Sequence, residues 1–181
     1  LDEFAATARI VMARPIAGTT AGHVAAIYVL RGEAAADDLL ARMRQSGVKL
    51  VGGNGPVVAA VAAGEFDYGL TDNDDVVHAA RNAGEVTSVV PGADGEGTLM
   101  IPTTVALVAG RPGSTEAQKL VDYLLSPEVE RRLIEAQFAG WSLRSGGPDQ
   151  PKAMRLDYTE VARRMPEAVR RATAILEGRE P

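Results

Sequence analysis

Residues 48–75 read VKLVGGNGPVVAAVAAGEFDYGLTDNDD and contain two short apolar runs on either side of an alanine-rich stretch. Residues 48–51 predict a strand, residues 57–63 a helix, and residues 66–70, which alternate in polarity, a second strand. Residues 71–75 are rich in the side chains that begin helices. A strand, a helix and a further strand in this order favour a parallel sheet.

The same alternation extends towards both ends of this stretch. Residues 9–13 predict a strand and residues 34–45 a helix, and a helix beginning at Thr19 or Thr20 is expected to stop at Gly32. Residues 86–90 predict another strand. The sequence therefore predicts the α/β class, with a mostly parallel sheet flanked by helices.

The remainder of the chain is expected to be mainly helical. Residues 98–108 are β-prone, residues 114–125 and 127–139 predict helices, and residues 158–177 predict one or two helices broken near Pro166.

Composition excludes several classes of protein. The chain has 181 residues, a formal net charge of -5 and no cysteine. The missing cysteines exclude disulfides, zinc-thiolate sites and cysteine nucleophiles. The acidic balance gives no sign of nucleic-acid binding, and the apolar runs are far shorter than the ~20 residues of a membrane span.

The sequence carries none of the usual enzyme signatures, such as a nucleophile elbow, a Walker loop or a zinc-protease motif. We therefore expect a binding protein and not an enzyme. A metal-dependent hydrolase that uses Asp72, Asp74 and Asp75 remains as an alternative.

Three strand-to-helix loops carry the candidate site residues, and in a parallel sheet such loops meet at one edge. Gly18, Thr19 and Thr20 offer N–H groups and hydroxyls to an anion. Asn54 lies in the second loop, and the third contains residues 71–75. Ordinary helix capping explains any one of these loops taken alone.

Asp74 and Asp75 in the third loop would repel a bound anion. The conflict disappears if the ligand also carries positive charge. We therefore expect either a metal ion held with an anion or a zwitterion.

Three segments resemble periplasmic solute-binding proteins of ABC importers, in the branch of ferric-ion binders and proteins for 2-aminoethylphosphonate. They are GNGPVVAAVAAGEFDYGLTDNDD, VVPGADGEGTLMIPTTVALVAG and AQKLVDYLLSPEVERRL. The resemblance implies one lobe, with part of the hinge and second lobe, of a type II binding-protein fold. It implies a ligand-binding lobe at residues 1–91, with residues 86–91 as a hinge strand. Residues 92–145 would pack towards a missing lobe, and residues 146–181 would be C-terminal helices.

The resemblance also assigns roles to the site residues. Gly18, Thr19 and Thr20 match the anion-binding turn, and Asn54 and Asp72 match polar residues of the cleft. Asp74 and Asp75 stand where ferric binders have a tyrosine pair. They would hold a ferric or other metal ion with a synergistic anion, or an ammonium group.

The expected function is to deliver a small anion, a metal–anion complex or a phosphonate zwitterion to an ABC permease in the membrane. The expected location is periplasmic or extracellular. The resemblance implies an N-terminal truncation that removes the part that builds most of the first lobe, and the chain carries no signal peptide of its own. The alternative is the effector-binding domain of a transcription regulator, which can share this lobe architecture.

Overall fold

Three short parallel strands form the sheet: β1 (Ile10–Ala13), β2 (Lys49–Val51) and β3 (Tyr68–Leu70), in the order β2-β1-β3. The computed structural model describes residues 9–82, 86–92, 97–110, 113–146 and 150–180. Val11 of the central strand is paired with Lys49 on one side and with Gly69 on the other. The predicted α/β class with a parallel sheet is confirmed.

Seven helices lie within the described residues, and none of them is long and apolar enough to cross a membrane. They are α1 (Gly18–Arg31), α2 (Glu33–Gln45), α3 (Asn54–Ala62), α4 (Asn73–Asn82), α5 (Thr115–Leu124), α6 (Pro127–Glu135) and α7 (Tyr158–Leu176). Helix α3 begins three residues before the predicted start at residue 57. The end expected for α4 near Gly84 lies outside the described residues.

The central strand β1 is buried on both faces, as is usual for a strand inside a parallel sheet. Because side chains alternate along a strand, Met12 joins a core formed by α1, α2 and α7, whereas Val11 and Ala13 pack with Val57 of α3. Helices therefore cover both faces of the sheet.

A polar cluster joins α7 to the two helices beneath it. The Tyr28 hydroxyl of α1 donates to Asp37 of α2 at 2.5 Å, and Arg171 of α7 forms an ion pair with the same carboxylate. The cluster is only part-exposed, so the hydrogen bonds and the ion pair are shielded from solvent and fix how α7 lies on α1 and α2.

The predicted break near Pro166 is wrong, because α7 runs through this residue without interruption. Pro166 is exposed, as is Ala162, whose carbonyl has lost the usual partner four residues later. Water can satisfy that carbonyl, while Ala168 and Ala172 bury the opposite side of the helix.

The predicted strand at residues 86–90 is also wrong, since these residues, all of which are described, form no strand. In the β-prone run at residues 98–108, only Thr98 forms a bridge, with Ala153. A β-prone sequence becomes a strand only where another strand is available to pair with it.

The chain divides into two units: a first unit of Leu1–Leu99 and Lys152–Pro181, and a second unit of Met100–Pro151. The first unit contains the sheet and its core. Helices α5 and α6 belong to the second unit, and none of the residues in these two helices is buried. Thr98 exchanges backbone hydrogen bonds of 2.8 Å with Lys152 and Met154, so the chain leaves and re-enters the first unit at neighbouring points.

Candidate functional site

The candidate site lies in the first unit, where the carboxyl ends of the three strands are followed by α1, α3 and α4. Parallel strands bring these helix starts to one edge of the sheet. Hydrogen bonds between side chains from all three loops show that the loops meet there.

The centre of the site is a hydrogen-bond network around Asp72. The Thr19 hydroxyl donates to Asp72 Oδ2 at 2.8 Å, and Asn54 Nδ2 donates to the same oxygen at 2.6 Å. Asn54 Nδ2 also lies 2.8 Å from Thr19 Oγ1, and the Thr20 hydroxyl donates to Asn54 Oδ1 at 3.3 Å. These contacts hold Asp72 in one orientation and use the protons of both threonine hydroxyls.

Two of the helix starts at this edge, those of α1 and α3, have no side-chain cap on their backbone N–H groups. Ala17 precedes α1 and Gly53 precedes α3, and neither supplies a capping oxygen. Gly18, the first residue of α1, is exposed and has a φ of 64°, a conformation that favours glycine. These N–H groups and the positive ends of the helix dipoles suit an anion.

Three carboxylates lie together beside this network. Asp72, Asp74 and Asp75 each offer an oxygen, and the three oxygens lie within 4.8 Å of one another. Burial, followed by the hydrogen bond and charge of Asp72 and the charge of Asp74, raises the pKa of Asp75 to about 6. Burial and the charge of Asp72 also raise the pKa of Asp74. The raised pKa values indicate that the negative charges of the three carboxylates are not balanced by positive charge within the cluster.

Two features of the site were not anticipated from the sequence. Within the described part of the chain, Asp72 Oδ1 and Thr71 Oγ1 are buried and have no hydrogen-bond partner. A Cβ added to Gly55 would lie 3.7 Å from Asp75 Oδ1, so the start of α3 lies close to the carboxylates. Thr71 directly follows β3 in the sequence, and from this position alone its location at the sheet edge could have been predicted.

All seven predicted site residues thus lie at this edge. Thr19, Thr20, Asn54 and Asp72 are joined by hydrogen bonds, and Asp74 and Asp75 lie beside Asp72. Gly18 contributes backbone alone. What these residues bind stays a prediction.

Comparison with known proteins places this geometry in context. Residues 1–138 match the family model of bacterial extracellular solute-binding proteins. The fold is similar to that of a Bordetella ferric binding protein, with a TM-score of 0.71 and 23% identity. It is also similar to iron-bound HitA from Pseudomonas aeruginosa, with a TM-score of 0.71 and 21% identity. A search of curated protein sequences found no significant match.

The two solved structures are longer than this chain. The alignments cover 96% and 95% of this chain but only 62% and 59% of the ferric binding protein and HitA, respectively. At these identities the likeness establishes the fold. Within that fold, the candidate site occupies the sheet edge at which α/β proteins usually bind ligands.

Proposed function

Since the chain belongs to the family of bacterial extracellular solute-binding proteins, we propose that it is the solute-binding component of an ABC importer. It captures a small solute in the periplasm or outside the cell and passes it to a membrane permease, without catalysing a reaction. Family membership supports this function. Neither the family model nor the two similar structures supports the transcription-regulator alternative.

The solute contains a hard metal ion, and the carboxylates of Asp72, Asp74 and Asp75 bind it. The observation that carries this proposal is the set of three carboxylate oxygens within 4.8 Å of one another. Oxygen donors suit hard cations, including ferric ion. The raised pKa values of Asp74 and Asp75 support the same conclusion, because a cation would supply the missing positive charge.

An anion accompanies the metal at the uncapped start of α1. The hydroxyl protons of Thr19 and Thr20 already serve Asp72 and Asn54. The anion would therefore bind backbone N–H groups near Gly18, where the helix dipole favours negative charge. If the carboxylates bind the metal and the backbone N–H groups bind the anion, the role of Asn54 and Thr19 is to orient Asp72.

A thermal-shift series tests the site on the 181-residue chain. The additions are ferric citrate, divalent metal ions with and without carbonate or phosphate, and 2-aminoethylphosphonate as a zwitterion. A ligand at 100 times its Kd adds about 2.7 kcal/mol, which for a chain of this size raises Tm by roughly 5–10 °C. We expect that shift with a metal ion and its anion.

Charge-matched variants show where the ligand binds. The Asp74→Asn, Asp75→Asn double variant should lose the shift. The control is the Asp38→Asn, Asp122→Asn double variant, which removes the same charge from exposed positions on α2 and α5 and should keep it. A shift with 2-aminoethylphosphonate alone would show that the carboxylates bind an ammonium group and not a metal ion. An unchanged shift in the site variant, or none with any addition, would refute the carboxylate site.

A further inference from the structure

The two carboxylate oxygens of Asp72 have different surroundings. Oδ2 accepts two hydrogen bonds, from the Thr19 hydroxyl at 2.8 Å and from Asn54 Nδ2 at 2.6 Å. Oδ1 is buried and has no hydrogen-bond partner among the described residues. A buried carboxylate oxygen without a donor is costly unless it gains a partner. Of the two oxygens, Oδ1 is therefore the one that can bind a metal ion.

The side-chain amide of Asn54 determines which oxygen of Asp72 is engaged. Its nitrogen donates to two acceptors, Asp72 Oδ2 and, at 2.8 Å, Thr19 Oγ1. If the amide were turned by 180°, its oxygen would face the carboxylate, and neither of these atoms has a proton to donate. The observed orientation therefore keeps Asp72 Oδ2 an unprotonated acceptor.

Thr20 holds the other end of the same amide. Thr20 is 8% exposed, and its hydroxyl donates to Asn54 Oδ1 at 3.3 Å. Within the described part of the chain, this is the one hydrogen bond that Asn54 Oδ1 accepts. Because both ends of the amide are engaged, turning it would break bonds at each end. Thr20 thus acts on Asp72 through Asn54, without a hydrogen bond of its own to the carboxylate.

We propose that Thr20 and Asn54 are positioning residues, which direct Asp72 Oδ1 towards the metal ion and do not touch the solute themselves. This inference rests on the metal binding proposed above. It gives Thr20 a different role from the anion contact that the resemblance implies, because its hydroxyl proton already serves Asn54. Side chains that orient a metal-binding residue typically contribute about 10–100-fold to metal affinity.

Titration of the 181-residue chain with ferric citrate, followed by the rise in Tm, measures the effect on binding. Thr20→Val removes the hydroxyl and keeps the shape of the side chain. It should weaken binding by about tenfold, the lower end of that range, because the Thr20 hydrogen bond is long. Thr20→Ser keeps the hydroxyl and should restore the binding. Thr173→Val is the matched control, since the Thr173 hydroxyl on α7 is buried without a hydrogen-bond partner in the described residues.

The side-chain amide signals of Asn54 test the same arrangement without a ligand. They can be identified in a proton–nitrogen correlation spectrum by their loss in Asn54→Ser. In Thr20→Val they should move towards the positions of solvent-exposed asparagine side chains, with an unchanged circular dichroism spectrum. Thr20→Ser and Thr173→Val should leave them in place.

The two measurements separate the positioning role from the proposed function. Ferric citrate binding by Thr20→Val as tight as by Thr173→Val would overturn the proposal, and so would Asn54 signals that do not respond to Thr20→Val. If the unchanged chain binds no ferric citrate but the Asn54 signals respond, the proposed ferric ligand fails and the positioning of Asp72 is supported.

Discussion

Asp75 has the most perturbed carboxyl group of the candidate site, with a pKa raised to about 6 by burial, by the hydrogen bond to Asp72 and by nearby charge. A carboxyl group with a raised pKa binds its proton more tightly in the folded than in the unfolded chain. Its contribution to stability is full below the unfolded pKa of about 4 and is lost as the pH rises through 6.

Asp75→Asn should therefore stabilise the protein at pH 7.5 and have little effect at pH 4. Allowing for screening by solvent, the gain is about 1 kcal/mol, or roughly 2–4 °C in Tm for this chain length. Thermal unfolding at the two pH values measures it. Asp38→Asn, on the exposed side of α2 where Asp38 forms an ion pair with Arg42, should give no such gain at pH 7.5. A gain for Asp75→Asn that is equal at the two pH values would contradict the assignment.

At this scale the sequence predicts which residues meet but not what each one does. The loop positions of Asn54 and Asp72 follow from the strand and helix pattern, and the resemblance implies that both are polar residues of the ligand cleft. The structure shows that Asn54 donates to Asp72 and that both threonine protons are already in use. Such choices between donors depend on distances of a few tenths of an ångström, which residue spacing does not contain.

At the scale of elements, α7 shows how tertiary packing can override a local signal. Pro166 costs the helix one hydrogen bond, yet Val161, Ala168 and Ala172 remain buried along the other side. Burial over the full length of a 19-residue helix exceeds the local penalty of one proline.

Pro166→Ala should stabilise the protein, by about 1–3 kcal/mol, since it restores the N–H donor and removes the ring from the helix interior. Urea denaturation followed by circular dichroism measures the free energy of unfolding. Pro127→Ala is the control, because Pro127 occupies the first turn of α6, where proline is well suited. It should change the free energy by less than about 0.5 kcal/mol. Equal effects of the two substitutions would show that position within the helix does not matter.

Capping residues predicted the helix boundaries more accurately than residue composition predicted the strands. Ser114 and Ser126 accept hydrogen bonds from the backbone N–H groups three residues later, as expected of helix starts. Residues 86–90 have strand composition but pair with no strand in the described part of the chain, and α3 begins in the glycine-rich loop at Asn54. Capping is local and readable, whereas pairing depends on residues far away in the sequence.

For the whole molecule, the candidate site and helices α5 and α6 belong to different units. Every predicted site residue lies in the first unit, which also contains the sheet. The second unit is inserted between Leu99 and Lys152, where the two chain segments are already hydrogen-bonded. Folding of the first unit and the metal binding that we propose should therefore not require the second unit.

Replacing residues 101–150 by a short glycine-serine linker tests this independence. The shortened chain should keep its helical circular dichroism, a cooperative unfolding transition and the metal-dependent thermal shift. A chain that unfolds or no longer responds to metal would show that the first unit depends on the second.

The sequence predicts the α/β class of the whole chain because strand and helix runs alternate in order. It does not predict that residues 152–180 return to the first unit, because helix periodicity does not specify which helix packs on which. That pairing rests on contacts between residues far apart in the sequence, such as the part-buried ion pair of Arg171 with Asp37, 134 positions apart. Only the folded chain shows it.

The return of α7 to cover α1 also governs how the protein is made. On the ribosome, α1 emerges early, but the helix that buries its apolar side begins only at Tyr158. At about 5–20 residues per second, the growing chain exposes Val24 and Ile27 for roughly 6–25 s before that helix is synthesised. During this interval the nascent chain exposes apolar surface that its final partner does not yet cover, which makes the incomplete chain prone to aggregate.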